Sequence, residues 1–140
     1  MTTAPPPPHA SIDALPPDLS GMRDRALILV GFGAALRRSE LITLHVEHVA
    51  WHARGIIVLV ARSKADQDGR GVEVPIHAAP GSLCPVAALR AWLDAARIID
   101  GPLFRSVSRW GHVGRDALHA RHVAEVVKRA AKRVGLDPRS

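Results

Sequence analysis

The five residues Ala26-Leu27-Ile28-Leu29-Val30 are apolar on every side of a helix. A helix that buries one face alternates apolar and polar residues. One that is apolar all round has no face to give to water and must be covered from several directions. Ser20 suits an N-cap, and the spacing predicts this helix over 22–35. The remainder of the chain must supply the elements that surround it. At 140 residues the chain is the size of one small domain, a length that buries about two-thirds of the unfolded surface.

The covering elements are legible downstream. A short helix is expected over 38–45, with Leu41 and Leu44 facing inward. A β-rich region follows. Val49 to Trp51 reads as a short strand, Ala53-Arg54-Gly55 as a turn, and the β-branched run from Ile56 to Ala61 as a second strand. Asp68-Gly69 and Gly71 mark a turn. Val72, Val74 and Ile76 then alternate with Glu73 and Pro75, the pattern of a half-buried strand, and Pro75 points to an edge position.

Pro85 fits the first turn of a helix over 85–98, with Val86, Leu89, Leu93 and Ala96 on one stripe and Arg90 and Asp94 outside. Residues 103–117 read as a short extended piece and a loop. A last helix is expected over 119–134, its buried stripe Val123, Val127, Ala130 and Val134, and Gly135 its C-cap. Trp51, Trp92 and Trp110 are read as core or edge packing. The fold class is α+β, mostly helical with a small three-stranded antiparallel sheet. Residues 1–19 hold six of the eleven prolines and read as a polyproline II tail or linker.

Charge is unevenly placed. Residues 1–104 carry ten Lys or Arg and ten Asp or Glu, whereas residues 105–140 carry nine basic and three acidic residues and supply the whole net charge of +6. Arg121, Lys128, Arg129, Lys132 and Arg133 crowd the outer faces of the last helix. A basic stretch beside a neutral body suits a polyanion, and it equally suits a solvated helix face. Cys84 is the only cysteine, so an internal disulfide is excluded and a reducing cytoplasm is the default. No apolar run approaches the roughly 18 residues of a membrane span, and the start Met1 to Ala10 lacks the pattern of a secretory signal. His45, His48 and His52 lack a carboxylate or cysteine set, so no metal or other cofactor is expected.

Several phrases stand in a particular order: Arg23-Asp24-Arg25-Ala26-Leu27, then Ala35-Leu36-Arg37-Arg38-Ser39-Glu40-Leu41, then Ser63-Lys64-Ala65-Asp66 after the second strand. Cys84-Pro85-Val86, Gly101-Pro102-Leu103-Phe104 and Gly135-Leu136-Asp137-Pro138 complete the series. Together, over about residues 20–138, they resemble the catalytic domain of the tyrosine recombinase (phage integrase) family. The resemblance implies site-specific DNA recombination, with double-stranded DNA and other recombinase protomers as partners. In that chemistry a tyrosine hydroxyl attacks a phosphodiester, leaving a covalent phosphotyrosine and a free 5′-hydroxyl. Charge builds on the phosphate oxygens, which suits always-charged guanidinium groups. By resemblance Arg37 is the first of the family's two arginines. Lys64 would protonate the leaving 5′-oxygen, and Glu40 would orient Arg37. Arg38, Arg62, Arg121, Lys128, Arg129 and Lys132 are the candidate DNA contacts.

The chain also departs from the family pattern. It contains no tyrosine. The family's His-x-x-Arg box on a helix falls due shortly after Asp137-Pro138-Arg139-Ser140, the last residues here. His112-Val113-Gly114-Arg115 fits those letters, but precedes the last expected helix and carries Gly114 in an expected loop. The expectation is therefore the front part of a catalytic domain over 20–140, inactive alone, with an exposed apolar patch. Two other readings fit the same residues: a non-catalytic DNA-binding or regulatory module, and a protein-interaction remnant.

Overall fold

A computed structural model describes residues 18–61 and 71–133, the last two by their backbone alone. Helix α1 spans Leu19–Ala34 and begins one turn earlier than the spacing predicts. Asp18 rather than Ser20 is the N-cap, its carboxylate accepting the Gly21 N–H at 2.8 Å. A carboxylate is as good a cap as a hydroxyl and also answers the positive end of the helix. Ala35, in the left-handed region at φ +53°, ends it. Ala26, Leu27, Ile28, Leu29 and Val30 are all buried, as their all-round apolarity requires. Phe32 departs from that pattern, at 79% exposed.

Helix α2 is a single turn, Arg38–Leu41, shorter than the expected 38–45. Leu41 and Leu44 are nevertheless both buried. Gly31 lets this turn close on α1, because a Cβ there would meet Leu41 Cδ1 at 3.2 Å. A 3-10 turn over Val46–His48 leads into the sheet, built from β1 (Val49–His52), β2 (Gly55–Val60) and β3 (Val72–His77) in the antiparallel order β1-β2-β3. Val58 pairs with Val49 on one side and Val74 on the other. Ile56, Val58 and Val60 point into the core, and Leu59 points out. Pro75 lies on the edge strand β3, as its missing N–H demands.

Helix α3 runs Pro85–Ala96 and packs against α1. Cys84 caps it, its sulfur accepting the Ala87 N–H at 3.4 Å. Trp92 is fully buried and its indole N–H donates to the Leu103 carbonyl at 2.7 Å, so the polar end of the ring is satisfied. Trp51 sits at the sheet edge with the Arg90 guanidinium 4.4 Å from its ring centre. Arg90 thereby links α3 to β1.

The chain between α3 and the last helix corrects the expected loop. Strands β4 (Arg105–Val107) and β5 (Val113–Ala117) form an antiparallel hairpin with a shifted register between Arg105 and Val107. Trp110, expected to pack, is 76% exposed at its tip. Helix α4 follows over Ala120–Arg133. Its buried residues are Val123, Val126 and Ala130. Val127, expected in that stripe, is 41% exposed because it borders an open groove. Val134 and Gly135 lie outside the described residues, as do residues 1–17. Among the described residues no helix is long and apolar enough to cross a membrane.

A buried polar cluster joins α1 to α4 and β4. Arg23 and Asp24 are only 2% and 6% exposed. Asp24 Oδ1 accepts from Arg23 Nε at 2.9 Å and from Nη2 at 2.8 Å. Arg23 Nη1 donates to the Arg105 carbonyl at 3.3 Å, and Nη2 lies 3.4 Å from His122 Nε2. Arg129 approaches the second Asp24 oxygen at 3.8 Å. Burial, and then the Arg23 charge, hold the His122 imidazole below its ordinary pKa. A neutral ring can accept from Arg23.

Candidate nucleic-acid interface

Arg37 stands immediately before α2 in extended backbone, φ −78° and ψ 160°. Its own N–H donates to Glu40 Oε1 at 2.8 Å, and its Nε lies 4.0 Å from the same oxygen. The Glu40 side chain is 7% exposed and that of Arg37 is 81% exposed. A buried carboxylate thus fixes the backbone from which an exposed guanidinium projects. The spacing of three residues places Glu40 to reach back over one turn, the reciprocal half of a capping box.

The guanidinium opens on a cleft of about 880 Å³ between the start of α2 and the first turns of α4. Leu36, Arg37, Arg38, Ser39, Ala120, Arg121, Ala124 and Lys128 line it. Four of these residues are cationic and none is acidic. Arg121 and Lys128 come from α4, whose first residue, Ala120, also borders the cleft. The partial positive charge of that helix end adds to the side chains. The arrangement suits a phosphate: planar donors for its oxygens, positive charge on two sides, and no carboxylate to repel it.

The candidate residues thus divide. Arg37, Arg38, Arg121 and Lys128 share the cleft, with Glu40 behind Arg37. Arg129 does not line it and reaches toward Asp24 instead. Lys64 and Arg62 lie outside the described residues, as does the side chain of Lys132. His112 is in the β4–β5 turn and Arg115 on β5, both exposed, so the His-x-x-Arg letters there are not on a helix. His45 and His48 make a local cap, with His48 Nδ1 accepting the His45 N–H at 3.2 Å.

An apolar groove of about 310 Å³ adjoins the cleft, sharing Leu36 and Arg38. Leu27, Phe32, Leu41, Val123 and Val127 are among its walls. Of these walls Phe32 and Val127 are exposed, and Leu27, Leu41 and Val123 are buried. Sequence reading missed the Arg23-Asp24 cluster as a unit. Its available signal was a charged pair directly preceding a run that is apolar all round.

The Phage integrase family model matches residues 10–140. An integrase/recombinase xerD homolog of Selenomonas ruminantium is 42% identical over 120 residues, covering 85% of this chain and 35% of the relative. Among solved structures, XerH site-specific recombinase bound to difH substrate in a pre-cleavage complex is similar with a TM-score of 0.67 at 16% identity. That match covers 93% of this chain and 34% of the XerH chain. The chain therefore spans about one-third of the length of the relatives it matches.

Proposed function

Since the chain belongs to the phage integrase family, we propose that it supplies the phosphate-gripping part of a site-specific DNA recombinase. The observation that carries this is the cleft in which Arg37, Arg38, Arg121 and Lys128 converge without a carboxylate. Duplex DNA is the partner, with a backbone phosphate in the cleft. Arg37, held by Glu40, neutralises charge as it builds on the non-bridging oxygens. Arg38, Arg121 and Lys128 seat the flanking backbone. Lys64 would give its proton to the 5′-oxygen as the bond from phosphorus to that oxygen breaks. The attacking tyrosine oxygen that forms the new bond to phosphorus is not among these 140 residues, which contain no tyrosine. By this reading the chain binds DNA and forms no covalent link to it unaided. It works with further recombinase protomers in the cytoplasm, and residues 1–19 serve as a tail or linker.

The absence of tyrosine also favours a second reading, a DNA-binding module without chemistry of its own. Complementation separates the two. A companion polypeptide carrying a His-x-x-Arg box and a tyrosine is mixed with this chain on a nicked suicide duplex. A covalent protein–DNA adduct that disappears with Arg37→Ala supports the first reading; an adduct that ignores Arg37→Ala overturns it. DNA binding itself should be lost on Lys128→Glu and kept on Arg54→Glu, which makes the same charge change in the exposed β1–β2 turn.

A further inference from the structure

The tip of the β4–β5 hairpin carries an exposed indole outside the cleft. Trp110 is 76% exposed there, leaving in water much of the roughly 150–250 Å² that an indole can bury. The tip that presents it is well built. Ser108 N–H donates to the His112 carbonyl at 2.9 Å, and Gly111 N–H to the Ser108 carbonyl at 2.9 Å. The Ser108 hydroxyl accepts from Trp110 N–H at 3.2 Å and from His112 N–H at 3.1 Å. Gly111 sits at φ +83°, a conformation that a larger side chain would strain. The turn therefore fixes the backbone from which the indole projects. The Arg109 guanidinium lies 5.5 Å from the ring centre.

Charge identifies the partner. The hairpin has three arginines and one acid, Asp116. Arg105 is occupied by the carbonyls of Pro102 and Asp100. Arg109 and Arg115 are exposed, and so is His112. An aromatic that anchors a protein interface is ringed by packed contacts that keep water away from it. The neighbours of Trp110 along the turn are Ser108, Arg109, Gly111 and His112, all exposed and none apolar. We infer that this tip is a second DNA contact, in which the Trp110 ring packs on a sugar or base of duplex DNA while Arg109 and Arg115 meet flanking phosphates. The inference rests on the cleft being a DNA interface. β5 runs almost directly into α4, with two residues between them. The ten steps of chain from Trp110 to Ala120 reach at most about 36 Å between Cα atoms. The second contact therefore falls within about eleven base pairs of the phosphate in the cleft, at 3.4 Å per step.

The test uses the full chain and a fluorescently labelled 30-base-pair duplex at about 50 mM salt. Affinity is measured by anisotropy for wild type, Trp110→Ala, Trp110→Phe and Lys128→Glu. Packing on one sugar or base edge, set at the low end of what an aromatic contributes per nucleotide, predicts a loss of about fivefold for Trp110→Ala and a smaller loss for Trp110→Phe, which keeps an aromatic face. In a Trp51→Phe background, DNA should also quench the indole emission, because Trp92 is buried. If Trp110→Ala binds within about twofold of wild type while Lys128→Glu does not bind, the inference fails and the cleft reading stands. Reduced self-association on Trp110→Ala, with DNA affinity unchanged, would assign the tip to a protein contact and also overturn it. If wild type fails to bind, or Lys128→Glu binds as well as wild type, the inference and the cleft reading fail together.

Discussion

Replacing Asp24 by alanine should remove a large share of the stability of this fold. Asp24 is 6% exposed and accepts two N–H bonds from Arg23, itself 2% exposed. Without the carboxylate a buried guanidinium loses its counter-ion. Breaking a buried ion pair on one side costs about 3–5 kcal/mol. The lower end applies here, since Arg23 keeps the Arg105 carbonyl and His122 Nε2 as partners. Arg129 loses its approach to Asp24 as well, but that pair is half in solvent and adds little. A cost of about 3 kcal/mol is a large part of the 5–15 kcal/mol that holds a typical domain. It should lower the urea midpoint by about 1.5 M at a slope of roughly 2 kcal/mol/M. The thermal midpoint should fall by about 10–20 °C. Asp24→Asn keeps an acceptor at Oδ1 and loses the charge, so its cost should lie between wild type and Asp24→Ala. The assay is urea unfolding followed by circular dichroism. A cost below about 1 kcal/mol for Asp24→Ala, at unchanged slope, would refute the view that this pair ties α1 to its neighbours.

Trp92→Phe removes the donor to the Leu103 carbonyl and leaves a small cavity at a fully buried site; the expected cost is about 2–4 kcal/mol by urea unfolding. His122 is held below its ordinary pKa, so the unfolded chain binds the proton first as pH falls. Its contribution is fully present above about pH 6.5 and is lost as pH drops from there toward the folded pKa. Thermal midpoints from pH 8 to 5 should show a decline that His122→Asn makes shallower. Glu40→Ala removes the acceptor of the Arg37 N–H, which should cost about 1 kcal/mol and weaken duplex binding in anisotropy titrations through a less ordered Arg37.

The sequence carried the frame of the fold well and its details unevenly. The all-round apolar run Ala26–Val30 and the alternation in β3 were legible because burial imposes a simple period on each. The β4–β5 hairpin was not. Arg105-Ser106-Val107 and Val113 to Ala117 offer few β-branched residues, and Gly114 weakens the second strand. Their pairing is continued by the backbone bond from Leu118 N–H to the Phe104 carbonyl and tied to α1 by Arg23 at the Arg105 carbonyl. In α4, Val126 and Val127 both fit a helical stripe extending from Val123, and only the open groove beside Phe32 decides which is covered. Of the residues that line the cleft, Arg37 was marked out in the sequence by its motif and Arg121 and Lys128 by charge. That Arg129 reaches toward Asp24 rather than into the cleft depends on the azimuth of α4, which no local pattern specifies.

A DNA phosphate held in the cleft should leave its mark on the salt dependence of duplex binding. Each phosphate neutralised contributes a slope of about −0.9 to the logarithm of affinity against the logarithm of salt. Four cations line the cleft, so a slope of about −3 or steeper is predicted, and Arg37→Gln should make it shallower by about one. A slope near zero, or one that Arg37→Gln leaves unchanged along with the affinity, would contradict the account.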